Sequence, residues 1–313
     1  MIYIYQMAHI FCLHLPHEFN FIVPNMTNHP WKSPDIVALA VVLFGWGGNF
    51  IAIRYAVLDI PSWTALTLRL ALVGCLLAFF LRNPLPHFKY YLFITITLVP
   101  GHFGLLFLAS QLTTNVSAIS LFIQLNPAFA LLFGWLLLNE KPGIRRIVGL
   151  LMAFMAMVIL FYEPNLLGMS QALIVAAMSA MFMGLYSVLL RSMPKQIRPI
   201  DIIGWTAILG TPMVASIAYF TEGSPLDTLT DVSTKGYLAV LYSAIVSSII
   251  SHGLWAWLCR RHPVAQVVPF SLLVPIIAIS LSAIFLGESI TIQMLVAAAV
   301  LCLGLFIIAK AKR

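Results

Sequence analysis

Charged residues are scarce in this 313-residue chain. Asp, Glu, Lys and Arg together make up 9% of it, whereas hydrophobic residues make up 61%. A soluble domain carries about 25% charged residues, and so few charges cannot cover a surface that faces water. The composition therefore excludes a soluble globular protein and predicts a polytopic membrane protein.

Acidic residues are scarcer still. The sequence has 10 Asp and Glu, and none of them lies in the middle of an apolar run. A carrier coupled to protons usually needs a titratable group deep in the membrane, and here only His102 and His252 remain for that role. We therefore expect a facilitator, or a carrier weakly coupled through a histidine.

Several chemical motifs are also missing. No phosphate-binding GxxxxGK[ST] segment occurs, which excludes ATP as the driving force. The 4 cysteines show no zinc or redox spacing. An enzyme acting on lipid head groups would need His, Asp or Glu clustered at one membrane interface, and these residues are scattered. We expect no catalytic residue, no metal and no cofactor, and hence a transporter rather than an enzyme.

Long apolar runs fill most of the chain. A transmembrane helix needs about 20 apolar residues, and each run is too long and too uniformly apolar for a strand of a membrane barrel. The runs cover residues 36–54, 64–81, 90–108, 116–138, 145–161, 170–190, 201–220, 237–258, 265–286 and 292–310. The predicted fold class is an all-α polytopic membrane protein with ten transmembrane helices.

The net charge of +7 raises the question of a nucleic-acid partner, but the positions of the cations argue against one. Fourteen of the 17 Lys and Arg lie in one set of alternating loops and chain ends. Cytoplasmic loops collect Lys and Arg, so we predict a multi-pass protein of the inner (plasma) membrane with both termini cytoplasmic. The expected partners are the lipid bilayer and a small-molecule substrate, with monomer and homodimer both left open.

The first 34 residues form a predicted N-terminal tail. The segment before Met26 lacks the basic start and the small-residue cleavage site of a signal peptide, and it is too broken for a membrane span. We expect translation to begin at Met26.

An internal repeat appears when the sequence is shifted by 148 residues. Residues 126–140 then lie over residues 274–288, with Pro127 over Pro275. We expect a helix kink at each proline, because proline removes a backbone donor. Such kinks would bow the two helices around a central cavity, although a packing kink without that role is the alternative.

The repeat divides the runs into two sets of five, at residues 35–162 and 168–311. Because five is odd, the two halves must have opposite orientations in the membrane. Two inverted five-helix repeats are the architecture of many secondary transporters, whose substrate site lies near the middle of the membrane between the halves.

Several segments resemble a known family. The stretches "LFGWGGNFIAIRYA", "PSWTALTLRLAL" and "VPFSLLVPIIAISLSAIFLGE" are similar to EamA-type drug/metabolite transporters, and within them to bacterial O-acetylserine/cysteine exporters. The resemblance covers about residues 35–310. It implies inverted five-helix halves, an inner-membrane location and export of small polar metabolites, such as cysteine or O-acetylserine, by alternating access. Aromatic residues among the candidate lining also suit aromatic amino acids or multidrug substrates.

Polar and aromatic side chains inside the apolar runs are the candidates for the substrate site, because polar groups in hydrocarbon usually face the bundle interior. The predicted substrate-binding residues are Trp46, Asn49, His102, Gln124, Asn126, Tyr186, His252, Trp255 and Ser271. A structural role remains open for several of them. Asn49 would then join two helices, His102 would be a packing histidine, and the two amides would satisfy backbone groups freed by Pro127.

Two further sets of charged residues have alternative interpretations. Arg69 would either attract a carboxylate substrate or extend to the lipid head groups, and we favour the second interpretation. Glu140 and Glu288 precede the fifth and tenth runs, where a carboxylate stabilises a helix start. We expect them to be structural end-caps.

Overall fold

The computed structural model describes residues 31–310 apart from 139–141, 164–167, 192, 195, 225–228, 230–231 and 263–266. Most of the predicted tail, Met26 and Glu140 lie outside the described residues. Ten apolar helices follow one another in the described part of the chain, and they confirm the predicted fold class. They are α1 Ser33–Asp59, α2 Ser62–Phe80, α3 Leu85–Leu112, α4 Val116–Leu137, α5 Ile144–Phe161, α6 Ser170–Leu190, α7 Pro199–Glu222, α8 Thr234–Cys259, α9 Phe270–Leu286 and α10 Ile292–Ile308. The first eight are long enough to cross a membrane, and the last two are shorter.

Local signals in the sequence set several helix ends. The Asp35 carboxylate accepts a hydrogen bond from the Lys32 amide at 2.8 Å at the start of α1, and Asn115 accepts one from the Ala118 amide at 2.9 Å at the start of α4. Such caps satisfy amides that have no partner within the helix. At the end of α9, Gly287 adopts φ 66°, a left-handed conformation that glycine takes without strain.

The helices pack in pairs that the two halves share. The α4–α6 pair corresponds to α9–α1, and the α3–α6 pair corresponds to α8–α1. Three more contacts join equivalent helices of the two halves, namely α2 with α7, α4 with α9 and α5 with α10. Exchanging the halves therefore converts each of the first contacts into its counterpart and leaves the last three unchanged, as an inverted repeat requires.

Interruptions of the helices occur at matching places in the two halves. Residues Thr97–Gly104 of α3 and Ser243–Ser251 of α8 are π-helical. Helix α4 is interrupted between Ile123 and Asn126, just before Pro127. The 3₁₀ turn Val268–Leu272 overlaps the start of α9, just before Pro275, and regular α-helix begins at Leu273. The two predicted kinks thus fall where regular helical hydrogen bonding is broken.

Small residues let α1 approach its neighbours closely. A Cβ atom on Gly47 would lie 2.6 Å from Ile277 of α9, and one on Gly48 would lie 2.5 Å from the Tyr242 hydroxyl of α8. Either contact is shorter than packed atoms tolerate, so a larger residue would push the helices apart. This close approach places the middle of α1 between α8 and α9.

Polar contacts join helix ends on two separate sides of the bundle. We call the side with Lys32, Arg82 and Arg261 the basic side, and the other the opposite side. On the basic side, Asp35 of α1 is 2.9 Å from Arg261 after the end of α8, and Asp201 of α7 accepts a hydrogen bond from the Arg82 amide. These contacts link the first half of the chain to the second.

On the opposite side, two glutamates of the second half cap helices of the first. Glu222 accepts hydrogen bonds from the Trp63 and Thr64 amides at the start of α2, both at 2.8 Å. Glu288 accepts hydrogen bonds from the Val116 and Ser117 amides at the start of α4, at 2.6 and 3.0 Å. The expectation that Glu288 caps the tenth helix is therefore wrong, because the turn at the end of α9 directs its carboxylate to α4.

Candidate functional site

Aromatic rings from the middle of α1 and the last third of α8 meet each other. The ring centroid of Trp46 lies 5.2 Å from that of His252 and 5.1 Å from that of Trp255. The Nε1 donor of Trp46 is buried and has no hydrogen-bond partner among the described residues. Three of the predicted site residues thus lie together and present one unused donor.

The orientation of His252 follows from its backbone contact. Its Nδ1 lies 2.8 Å from the Ser247 carbonyl oxygen. Because a carbonyl only accepts, Nδ1 carries the proton that it donates, and Nε2 is the acceptor in the neutral ring. Ser247 precedes His252 by five residues, so this contact belongs to the π-helical part of α8.

Asn49 joins α1 to α8. Its Oδ1 accepts a hydrogen bond from the Ser243 hydroxyl at 2.7 Å, and the side chain is buried. This contact agrees with the interhelical alternative for Asn49. It also fixes the register of α1 against α8 one turn from Trp46.

Arg69 is the largest fully buried side chain of the described residues, with 1% of its surface exposed. Its Nε and Nη2 donate hydrogen bonds to the Ser248 hydroxyl at 3.1 and 2.9 Å. The guanidinium carbon lies 4.4 Å from the ring centroid of Phe103 and 5.7 Å from that of Phe107. The interpretation that Arg69 extends to the lipid head groups is therefore wrong, because α8 and α3 enclose it.

His102 faces α6 rather than the aromatic cluster. Its Nδ1 lies 2.9 Å from the Ser179 hydroxyl, which in turn donates to the His102 carbonyl at 2.8 Å. The ring is buried at the contact between α3 and α6. This arrangement agrees with the packing alternative for His102.

The two side-chain amides of α4 donate hydrogen bonds to backbone carbonyls at the helix interruptions of both halves. Proline cannot donate to the carbonyl four residues before it, so the carbonyls of Ile123 before Pro127 and of Ser271 before Pro275 lack that helical donor. Asn126 Nδ2 donates to the Ile123 oxygen at 2.9 Å, and Gln124 Nε2 donates to the Ser271 oxygen at 3.3 Å. Two side chains of α4 thus supply the hydrogen-bond donors that the two prolines lack.

Tyr186 lies half-buried on α6. No hydrogen bond or ring pairing between described residues joins it to the cluster around Trp46. Within the described ranges, no group of three or more His, Cys, Asp or Glu is placed to hold a metal ion.

A groove runs between α1, α8 and α9 on the opposite side. It has a volume of about 470 Å³ and is lined mainly by apolar residues. It extends from Lys235 and Tyr55 at one end to Gly48, near the middle of α1, and Tyr242. The Lys235 ammonium lies 3.5 Å from the ring centroid of Tyr55. The groove therefore reaches the helical turns that carry Trp46 and Asn49.

Sequence reasoning missed the pairing of Arg69 with Ser248. The signal was present, because an arginine stands inside an apolar run and Ser248 lies on a polar face of α8. The span was drawn from residue 64, whereas α2 begins at Ser62. This difference placed Arg69 too close to the membrane surface.

Comparisons with known proteins agree with this architecture. The model of the EamA-like transporter family matches residues 33–162 and 170–310. A probable amino-acid metabolite efflux pump of Salmonella typhimurium is 26% identical over 88% of this chain and 94% of that protein. The pump of the same name from Escherichia coli is 25% identical over the same shares. A crystal structure of a protein 18% identical to this chain has the same fold, with a TM-score of 0.57 over 88% of this chain and 96% of that one.

Proposed function

Since the chain belongs to the EamA-like transporter family and is a multi-pass membrane transporter of the efflux type, we propose that it exports small polar metabolites, foremost amino acids such as cysteine or O-acetylserine. The names of the Salmonella and Escherichia relatives support an amino-acid substrate. The similarity to O-acetylserine/cysteine exporters in the first and second helices supports the more specific choice.

The observation that carries the proposal is the arrangement of side chains in the middle of the membrane. Two buried donors, Trp46 Nε1 and Arg69 Nη1, have no partner among the described residues. A buried donor without a partner costs about 1–3 kcal/mol, and such a cost is offset when a polar ligand binds. The substrate site would thus lie between α1, α2, α3 and α8, where the two halves meet.

Export follows an alternating-access cycle in this proposal. The contact of Asp35 with Arg261 closes the basic side, and the cap of Glu288 on α4 holds the opposite side. Rocking of one half against the other would break one set of contacts while the other set stays formed. The groove between α1, α8 and α9 supports a path from the middle of the membrane to the opposite side.

The proposed orientation places the basic side in the cytoplasm, with the protein in the inner membrane. Lys and Arg collect on the cytoplasmic side of membrane proteins, and the helix ends with most cations lie on one side of the bundle. The lipid bilayer surrounds the helices in a monomer or a homodimer. Coupling to protons, if present, would use His252 or His102.

A second candidate is export of aromatic amino acids. The rings of Trp46, Trp255 and Phe103 support it, because aromatic pairs contribute about 0.5–1.5 kcal/mol beyond the burial of their area. Both candidates share the same site and differ only in the side chain of the substrate.

The proposal is tested by export from cells. The protein is produced in a bacterial strain challenged with inhibitory amounts of cysteine, O-acetylserine or phenylalanine, and each amino acid is measured in the medium. We expect tolerance and a faster release of the exported compound than in cells with an empty vector. Equal release of all compounds with and without the protein would refute amino-acid export.

A further inference from the structure

Arg69 carries a buried charge without a counterion. Among the described residues, every ion pair involves Arg198, Arg261 or His262, and none involves Arg69. Its neighbours are the Ser248 hydroxyl and the rings of Phe103 and Phe107. A hydroxyl and two ring faces stabilise a positive charge, but they bring no negative charge that would neutralise it.

The geometry of the guanidinium leaves one edge unused. Arginine offers five N–H donors in a planar fork. Nε and Nη2 both point at the Ser248 hydroxyl, whereas Nη1 is buried without a hydrogen-bond partner. The open edge formed by Nη1 and the second hydrogen of Nη2 has the shape that binds a carboxylate in a bidentate manner.

Three features show that this edge is held in place rather than free to move. The side chain is 1% exposed, its other edge is fixed by Ser248 of α8, and Phe103 of α3 covers one face. Isolated buried ions are costly unless they are paired. A fixed, buried and unpaired guanidinium is therefore suited to a ligand that brings the opposite charge.

A surface for the remainder of such a ligand lies along α8. Ser248 holds Arg69, and His252 follows it by four residues and contacts Trp46. The ring faces of Trp46 and Trp255 suit an ammonium group, and the free Nε1 of Trp46 is a further donor. An α-amino acid carries a carboxylate and an ammonium group on the same carbon, and this combination of donors and rings offers a partner of suitable chemistry to each.

We propose that Arg69 binds the carboxylate of the transported substrate and that Ser248 positions the guanidinium for this contact. This inference rests on the proposed function and narrows it: the substrate must carry a free carboxylate. Amines that lack the carboxylate and lipophilic cations are then poor substrates, because the positive charge of Arg69 repels them.

The test measures how far a ligand raises the Tm of the purified protein in detergent. Cysteine is compared with cysteine methyl ester and cysteamine, and phenylalanine with its methyl ester and phenethylamine. We expect the affinity for the free amino acid to be at least about 10-fold higher than that for its ester or its amine. A hydrogen bond to a charged group contributes enough free energy for such a difference. Equal binding of acid and ester would overturn the proposal.

Variants distinguish a role of Arg69 in binding from a general effect on folding. Arg69→Gln should abolish the preference for the acid over the ester, and Arg69→Lys should keep the preference at lower affinity. Ser248→Ala should weaken acid binding while the ester is unaffected. Arg54→Gln is the matched control, because Arg54 is a partly buried arginine outside the proposed site that donates to the Ser110 carbonyl of α3. A preference that survives in folded Arg69→Gln protein would refute the role of Arg69.

The assay also distinguishes this inference from the proposed function. If cells export amino acids but acid and ester bind equally, export stands and the carboxylate contact is refuted. If the acids protect the wild type but not Arg69→Gln and cells export none of them, the contact stands and amino-acid export is refuted. Protection of delipidated protein by phosphatidylglycerol vesicles but by no amino acid would assign Arg69 to lipid phosphate, and this would overturn the inference.

Discussion

Replacing Glu288 by Gln tests the cap that joins the second half of the chain to α4. The carboxylate accepts hydrogen bonds from the Val116 amide at 2.6 Å, the Ser117 amide at 3.0 Å and the Ser117 hydroxyl at 2.6 Å. Negative charge at a helix start contributes about 0.3–2 kcal/mol, and hydrogen bonds to charged groups about 1.5–3 kcal/mol each. Because Glu288 is half-buried, solvent screens part of these interactions. We therefore expect Glu288→Gln to lower the free energy of unfolding by about 1–3 kcal/mol.

Thermal unfolding of the purified protein in detergent measures this loss. Glu288→Gln should lower the Tm by several degrees, whereas Ser289→Ala, at an exposed neighbouring position, should leave it unchanged. Ser117→Ala gives a double-mutant cycle, because its hydroxyl hydrogen bond to the carboxylate is lost in Ser117→Ala and loses the negative charge of its acceptor in Glu288→Gln. The two losses should therefore be less than additive.

Two results would refute this reasoning. An unchanged Tm in Glu288→Gln would mean that water, rather than α4, satisfies the carboxylate. Strictly additive losses in the double variant would mean that Ser117 and Glu288 do not interact. Either result would also mean that the contact of Glu288 with α4 does not help to hold the opposite side closed.

Three further predictions concern packing and polar groups inside the bundle. Gly48→Leu should reduce stability by about 1–3 kcal/mol, because the new side chain overlaps the tyrosine of α8, whereas Gly143→Ala, with open space around it, should have little effect on the Tm. Asn126→Ala should cost about 1–3 kcal/mol in thermal unfolding, because the carbonyl freed by the following proline loses its donor; an unchanged Tm would contradict this. His102→Ala should lower the amount of folded protein in the membrane, whereas His252→Ala should lower transport at equal abundance, as measured by quantitative blotting beside an export assay. The reverse pattern would exchange the roles assigned to the two histidines.

The ten helices could be predicted because long apolar runs are typical of helices that span a bilayer, although α9 and α10 are shorter than the runs that predicted them. The repeat was visible because Pro127 and Pro275 each lie 13 residues before a glutamate, Glu140 and Glu288. The meeting of Trp46 with His252 and Trp255 was only partly predictable. Their residue types and depths indicated a shared site, but only the packing of α1 on α8 shows that the rings touch.

Other contacts had no local signal. Glu288 and Val116 are 172 residues apart, and nothing near either residue indicates the other. The donation from Gln124 to the carbonyl of Ser271 likewise depends on the packing of α4 against α9. The sequence indicated a local role for that amide, whereas the structure gives it a role in the opposite half.

The π-helical stretch Ser243–Ser251 has a consequence for the direction of the side chains that follow it. Each residue added to a helix rotates all later positions by about 100°, so the last third of α8 is turned relative to a regular continuation. Ser248 therefore points towards Arg69, while His252 and Trp255 swing round to Trp46. Removing one residue from this stretch would restore regular winding, and α8 would no longer present Ser248 to Arg69 and the rings of His252 and Trp255 to Trp46.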